Sequence, residues 1–235
     1  MKYLVIDIST SAQEDIEDSP YLSWACKKGA SSPEEAYSKA GLHAEYGMVC
    51  CISAYWVKFT ADCNYTSEEA FTMSAYDKDT EEHLLMKLQD VLFEFNPPLR
   101  LSDDRGEQPE FVKFVGHNMK NFVIPFLVKR YLGNGLKVPM PLSSMMVTGN
   151  YVDLMHTLAC GGESMMSLRS AAWLFGIDDP RSSVRSPKFY ELVKDGNMKD
   201  VEKYTRMNAK VAADVFANCV LGGLIETEET WNFRN

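Results

Sequence analysis

Residues 2–9 read KYLVIDIS, and this run restricts the fold more than any other in the chain. From Tyr3 to Ile8 every side chain is apolar or aromatic except Asp7, and Val5, Ile6 and Ile8 are β-branched. A run apolar on both of its alternating faces predicts a central strand covered on both sides. Alternation puts Tyr3, Val5, Asp7 and Ser9 on one face and Leu4, Ile6 and Ile8 on the other. Asp7 therefore interrupts a buried face near the strand's exit. An unpaired buried carboxylate costs several kcal/mol, so Asp7 either caps the next turn, pairs with a basic group or belongs to a site.

The rest of the chain supplies the layers around that strand. Residues 11–46 are polar and read as an insertion or lid outside the core, with SSPEEAYSKAG as a Ser-capped helix ending at Gly41. GMVCCISAYWVKF (47–59) and EAFTMSAY (69–76) read as long strands in an antiparallel meander with the first. A helix from about 80 to 95 carries an apolar stripe of Leu84, Leu85, Leu88, Val91, Leu92 and Phe95. NPPLRLSDDRGEQPE (96–110) is a loop, and FVKFVG (111–116) is a fourth strand. The next helix cannot start much before Ile124, because Pro125 lacks an amide proton and disfavours helix in the residue before it. KVPMPLSS reads as a loop, YVDLM as a short ambiguous segment, SLRSAAWLFGI as a helix stopping at Gly176, and 187–222 as two more helices.

This order predicts an α/β domain: a mixed sheet of about five strands, antiparallel at its start, with helices on both faces. The expected domain runs over 1–221, with the insertion at 11–46 and the loop at 96–110, followed by an acidic tail at 222–235.

Charge and cysteine usage narrow the partners. A formal charge of −9 gives no general attraction to a phosphate backbone, so any nucleic-acid contact needs a local basic patch. Cys26, Cys50, Cys51, Cys63, Cys160 and Cys219 include no CxxC pair, and His43, His83, His117 and His156 are dispersed. That spacing argues against zinc. The chain opens on MKYLVIDIS without a cleavable apolar segment, so reduced thiols in a cytoplasmic compartment are expected.

Two further stretches hold candidate chemistry. GHNMKNFVIPFLVKR (116–130) places a Gly-His-Asn turn at a strand's end, with Val123 at its mouth where a polar or acidic group is expected. In the last helix Val201, Tyr204, Asn208, Val211 and Val215 fall on one stripe. Asn208 therefore faces inward, either as a satisfied core amide or as part of a site.

Together these stretches resemble the exonuclease domain of the DEDD superfamily, which has a ribonuclease H-like fold, and most closely its stand-alone members related to the proofreading domain of family B DNA polymerases. The resemblance runs nearly end to end. YLVIDIS is similar to the first motif, a strand ending in Asp-x-Glu. GHNMKNFVIPFLVKRYL is similar to the second, in which Asn-Phe-Asp precedes Ile-Pro-Phe. Residues 204–208 are similar to the third, Tyr-x-x-x-Asp, while VDLMHTL and MSLRSAAWLFGI are similar to the family's Asp-containing strand and Ser-Leu helix.

The resemblance implies four carboxylates holding two divalent cations for phosphodiester hydrolysis, with the third-motif Tyr positioning the water. Asp7 matches the first acid and Tyr204 the tyrosine. Ser9, Val123 and Asn208 stand where the other three acids belong, and together they bring no negative charge to offset four positive ones. No metal and no other cofactor is expected at such a site. The nearest substitute acids are Glu14, Asp15, Asp153 and Asp214; Asp214 lies six residues past Asn208 and so points about 240° around the helix.

Two readings follow. In the first, the chain is a catalytically inactive exonuclease-like protein, kept as a protein-binding or structural module in a phage or nucleic-acid complex. In the alternative, it is a metal-dependent 3′-to-5′ exonuclease on single-stranded DNA that uses Asp7 with recruited acids, Mg²⁺ or Mn²⁺ being its cofactor. The groove candidates for single-stranded nucleic acid are His117, Asn118, Lys120, Phe122 and Tyr204, with Lys129 and Arg130 near and Arg181, Arg185 and Lys188 in a second cluster. A protein partner is favoured, and Trp231 and Phe233 in the acidic tail are its candidate anchors. The resemblance also implies a bacterial or phage setting, hence host cytoplasm or virion.

Overall fold

The computed structural model describes residues 2–13, 16, 20, 32–60, 62, 64–95, 112–179 and 189–226. Glu14, Asp15, Cys26, Cys63, the loop at 96–110, the cluster Arg181, Arg185 and Lys188, and the anchors Trp231 and Phe233 lie outside them.

Five strands form one mixed sheet in the order β3-β2-β1-β4-β5, made of β1 (Lys2–Ala12), β2 (Gly47–Thr60), β3 (Asn64–Ser74), β4 (Val112–Gly116) and β5 (Tyr151–Asp153). β1 pairs antiparallel with β2, β2 antiparallel with β3, and β1 with β4 and β4 with β5 in parallel. The apolar first run is the central strand, as its two-faced pattern requires. The ribonuclease H-like arrangement expected from the sequence is the one found.

Helices cover both faces. On one side Leu4, Ile6 and Ile8 pack against α2 (Lys78–Phe95), α3 (Ile124–Gly133) and α4 (Met140–Thr148), which follow α1 (Pro33–Ala40) in the chain. On the other side Tyr3 and Val5 pack against α5 (Leu154–Leu158), α6 (Leu168–Leu174) and above all α8 (Met198–Leu221), which contributes Ala209, Val211, Ala212, Val215 and Phe216. The short α7 (Phe189–Lys194) lies before α8 and packs Phe189 onto Val201, Cys50 and Cys51.

Three expectations need correction. KVPMPLSS is not a loop, because α4 starts at Met140. Pro139 and Pro141 stand at its N-cap and first turn, where no amide donor is needed and the fixed φ suits the helix. The insertion is not wholly outside the core, since Ala12, Ile16, Ala36 and Ala40 are buried together beneath Tyr37, Tyr46 and Tyr190. Finally, β3 begins at Asn64, earlier than the sequence pattern suggests.

A buried ion pair locks the first helical layer to the sheet. Glu81 of α2 accepts from Arg130 Nε at 3.0 Å and Nη2 at 2.6 Å, from the Val49 amide at 2.7 Å and from Asn134 Nδ2 at 3.1 Å. Arg130 also donates to the Ala44 carbonyl at 3.0 Å. Both carboxylate oxygens and the guanidinium fork are thereby matched, which is the condition under which a buried pair holds. Arg130, placed near the groove by sequence reasoning, is instead 4% exposed and committed here.

Candidate functional site

The site forms where β1 leaves the sheet beneath α8. Asp7 and Ser9 point to the α8 face, as alternation predicts. Asn208 Nδ2 of α8 donates to Asp7 Oδ2 at 3.1 Å. One helical turn earlier, Thr205 lies 2.7 Å from Ser9 through their hydroxyl oxygens, and Thr205 Oγ1 donates its own proton to the Val201 carbonyl at 2.8 Å. Thr205 has only that one proton, so Ser9 is the donor of their shared bond. Ser9 is 2% exposed. Burial also pushes the thiol of Cys51, which faces Thr205, up to about 12.

Just after Ser9 the register slips. Ser9 pairs with Cys51 and Thr10 with Val49, leaving Cys50 as the extra residue of a bulge in β2. Past this bulge β1 carries Thr10, Ser11 and Ala12 along the floor of a cleft of about 380 Å³. Ser9, Phe122, Phe189, Tyr190, Tyr204 and Asn208 line it as well. Tyr204 is held edge-on against Phe189, with ring centroids 5.1 Å apart at 79°.

The turn after β4 is built by its glycine and asparagine. A Cβ on Gly116 would lie 2.8 Å from the Ile6 carbonyl, so only glycine lets the turn pass this close to β1. Asn118 adopts φ 60°, ψ 40°, a left-handed conformation that asparagine tolerates better than most residues. Its Oδ1 is buried without a hydrogen-bond partner among the described residues. Residues Met119–Val123 then form one π-helical turn that runs into α3.

That turn changes which residue meets the cleft. Val123 was expected at the mouth; it is 2% exposed and packed in the apolar core beside Ile6, Ile8 and Ile124. The side chain that reaches the cleft is Phe122, one position earlier. A π turn takes more residues per revolution than an α turn and so rotates the positions after it.

The carboxylate at this helix start comes from β5. Asp153 Oδ1 accepts from the amides of Asn118 at 2.9 Å and Met155 at 3.1 Å, and Oδ2 accepts from the amide of Lys120 at 2.9 Å. The His156 Nε2 lies 4.0 Å from it and takes a 3.1 Å contact from Asn121 Nδ2. The dipole at the start of the turn is thus met by Asp153, and the Val123 position has no part in it. Sequence reasoning placed Asp153 in the Asp-containing strand of the resemblance and among the substitute ligands, not at this helix start. The Met155 bond is a local N-cap of α5, but the Asn118 and Lys120 amides lie 35 and 33 residues away, so local pattern carried no sign of the link to the turn.

The remaining candidates divide. His117 Nε2 is 2.9 Å from the Met166 carbonyl, which ties the turn to the segment before α6. Lys120 is exposed, and Lys129 is paired with Glu45. Asp214 receives Lys210 Nζ at 2.6 Å on both oxygens and the Tyr65 hydroxyl at 3.0 Å. Burial, first, and this carboxylate push Tyr65 up to about 12. Among the described residues no three His, Cys, Asp or Glu side chains form a group suited to a metal ion.

No family model matches the chain, and no curated protein matches it. Among solved structures, it is similar in fold to a family B DNA polymerase. That polymerase is from the hyperthermophilic archaeon Pyrobaculum calidifontis; the TM-score is 0.54 at 16% identity, covering 93% of this chain. The chain spans 24% of that polymerase's length. Among the described residues no helix is long and apolar enough to cross a membrane.

Proposed function

We propose that this chain is an exonuclease-like module that binds a partner without hydrolysing phosphodiesters. The observation that carries the reading is the hydrogen-bonding state of Asp7 and its neighbours. Asp7 accepts from the Asn208 amide, the Ser9 hydroxyl is spent on Thr205, and Val123 is in the apolar core. This donor set does not fit a pair of divalent cations, because one carboxylate charge faces four positive ones and hard cations of this kind take several charged oxygens.

The active alternative needs recruited acids. Asp153 is committed to three backbone amides and Asp214 to Lys210 and Tyr65. Either would have to abandon charge-assisted bonds to become a ligand, which costs about 1.5–3 kcal/mol for each bond given up.

A protein partner fits the surface better than nucleic acid. The net charge is −9, Arg130 is buried under the opposite face of the sheet, and Lys129 is neutralised by Glu45. Trp173, by contrast, is 84% exposed on α6 beside the half-exposed Leu174. Large exposed aromatic residues are the commonest anchors of protein interfaces.

Incubating the purified protein with end-labelled single-stranded DNA and Mg²⁺ or Mn²⁺ tests the reading. The label is expected to remain full length over hours. Shortening that disappears in Asp7→Ala would establish the active alternative instead.

A further inference from the structure

α3 runs out through Gly133, Asn134 and Gly135, and Asn134–Gly135 is the only Asn-Gly step in the chain. Asn134 is the C-cap of the helix. Beyond it the Gly135 amide donates to the Leu132 carbonyl at 3.0 Å and the Leu136 amide to the Tyr131 carbonyl at 2.8 Å. This pair of bonds needs a left-handed residue after the cap, and Gly135 supplies it at φ 69°. A Cβ on Gly135 would meet nothing within 4 Å, so the turn has open space on that side.

The Asn134 side chain joins the buried ion pair of α2 and α3. Its Nδ2 donates to Glu81 Oε2 at 3.1 Å and to the Arg130 carbonyl at 2.9 Å. Both neighbours are acceptors, so the amide nitrogen and not the oxygen faces them. Oδ1 is buried and has no partner among the described residues. The amide is therefore held through its nitrogen alone, against a carboxylate that is 0% exposed.

An asparagine followed by glycine can react with its own backbone, because no Cβ on the next residue blocks the approach. The Gly135 nitrogen attacks Asn134 Cγ and closes a five-membered imide. The Cγ–Nδ2 bond breaks, and ammonia leaves with the proton that the Gly135 amide gave up. Water then opens the imide at either carbonyl, giving aspartate or isoaspartate, and nothing else is consumed. In the closed fold the attacking amide is committed to Leu132 and the leaving nitrogen to Glu81 and Arg130. The last turn of a helix is among the first parts of a protein to open, and opening frees both groups.

We infer that Asn134 is a deamidation site, held back by the cap and the Glu81–Arg130 pair while the turn is closed, whose product releases that pair. Conversion replaces a donor by an anion where Glu81 now accepts a hydrogen bond, and two carboxylates so close oppose one another. Isoaspartate also adds a carbon to the main chain inside the cap. The site lies outside the groove, so this inference and the non-hydrolysing reading fail separately.

Ageing the full chain at mildly alkaline pH, in native buffer and unfolded in urea, tests the site. Converted chains carry an added negative charge and separate by anion exchange, and peptide mass spectrometry places the change. Conversion at Asn134 is expected in native buffer, about 10-fold or more slower than in urea, as the loss of one charge-assisted hydrogen bond implies. Chains converted there should unfold at lower urea than intact ones and exchange backbone amides faster in both α2 and α3. Asn134→Asp should show the same lowered urea midpoint without ageing. The inference is overturned if the native protein shows no conversion at Asn134, or converts as fast as the unfolded chain. It is equally overturned if converted chains and Asn134→Asp unfold as the intact protein does, since the pair would then not depend on the amide.

Discussion

Asn208 does at one residue what a carboxylate would have undone. Its amide donates to Asp7 Oδ2 at 3.1 Å, so a half-buried charge is stabilised by a neutral group. In Asn208→Asp the same distance would separate two carboxylates, which cannot both ionise cheaply. One of the pair would then titrate above its unfolded value in the folded state. Such a group leaves folding unaffected below the ordinary carboxylate range and destabilises it increasingly as pH rises through the raised folded value. The variant should match wild type in urea unfolding near pH 4 and be less stable by about 1–3 kcal/mol at pH 7. Equal loss at both pH values would show that the amide acts through shape and not charge. The inward orientation of Asn208 was legible from the spacing of Val201, Tyr204, Asn208 and Val211 along one stripe. Its partner was not legible from the pattern, which expected a turn or a basic group for Asp7; only the family resemblance put the two positions at one site.

Elements were legible where a single period governed them and obscure where tertiary contact overrode it. β1 and α8 each follow one period over their length, so their faces were assigned correctly. The π turn at Met119–Val123 follows neither period, and Val123 was therefore placed at the mouth when its side chain is in the core. Arg130 was misplaced for another reason: its partner Glu81 lies 49 residues away on α2, and no local pattern points to it. That pair ties α2, α3 and the start of β2 together through the Val49 amide and the Ala44 carbonyl. Glu81→Ala would leave the guanidinium buried and uncompensated, so a loss of about 3–5 kcal/mol is expected in chemical denaturation. Replacing both partners by apolar residues, as in Glu81→Leu with Arg130→Met, should recover much of that loss, because the penalty comes from the stranded charge. A double variant no better than the single would mean that the hydrogen bonds to Val49, Ala44 and Asn134 carry the stability, and not the charge balance.

At the scale of the whole molecule, a two-cation site would need β1, the turn after β4 and α8 to present carboxylates to one point. β1 and α8 do converge, through the Asp7–Asn208 and Ser9–Thr205 contacts. The turn does not offer position 123 to that point, because Asp153 fixes its start by the amides of Asn118 and Lys120 and the π turn then carries Val123 into the core. Restoring the acids of the resembled family is therefore not a matter of three independent substitutions. Ser9→Glu with Asn208→Asp adds two carboxylates beside Asp7 on elements that already meet, and these suffice for one hard cation. Mn²⁺ should raise the melting temperature of that double variant by several degrees, following mass action, while leaving the wild type unchanged. Adding Val123→Asp should lower the melting temperature sharply without strengthening the Mn²⁺ effect, since a carboxylate in that apolar layer costs several kcal/mol. If the triple variant instead proves the tightest Mn²⁺ binder, the turn can rewind to an α-helical register when metal is present. The buried position of Val123 would then be a consequence of the lost acid and not a barrier to its return.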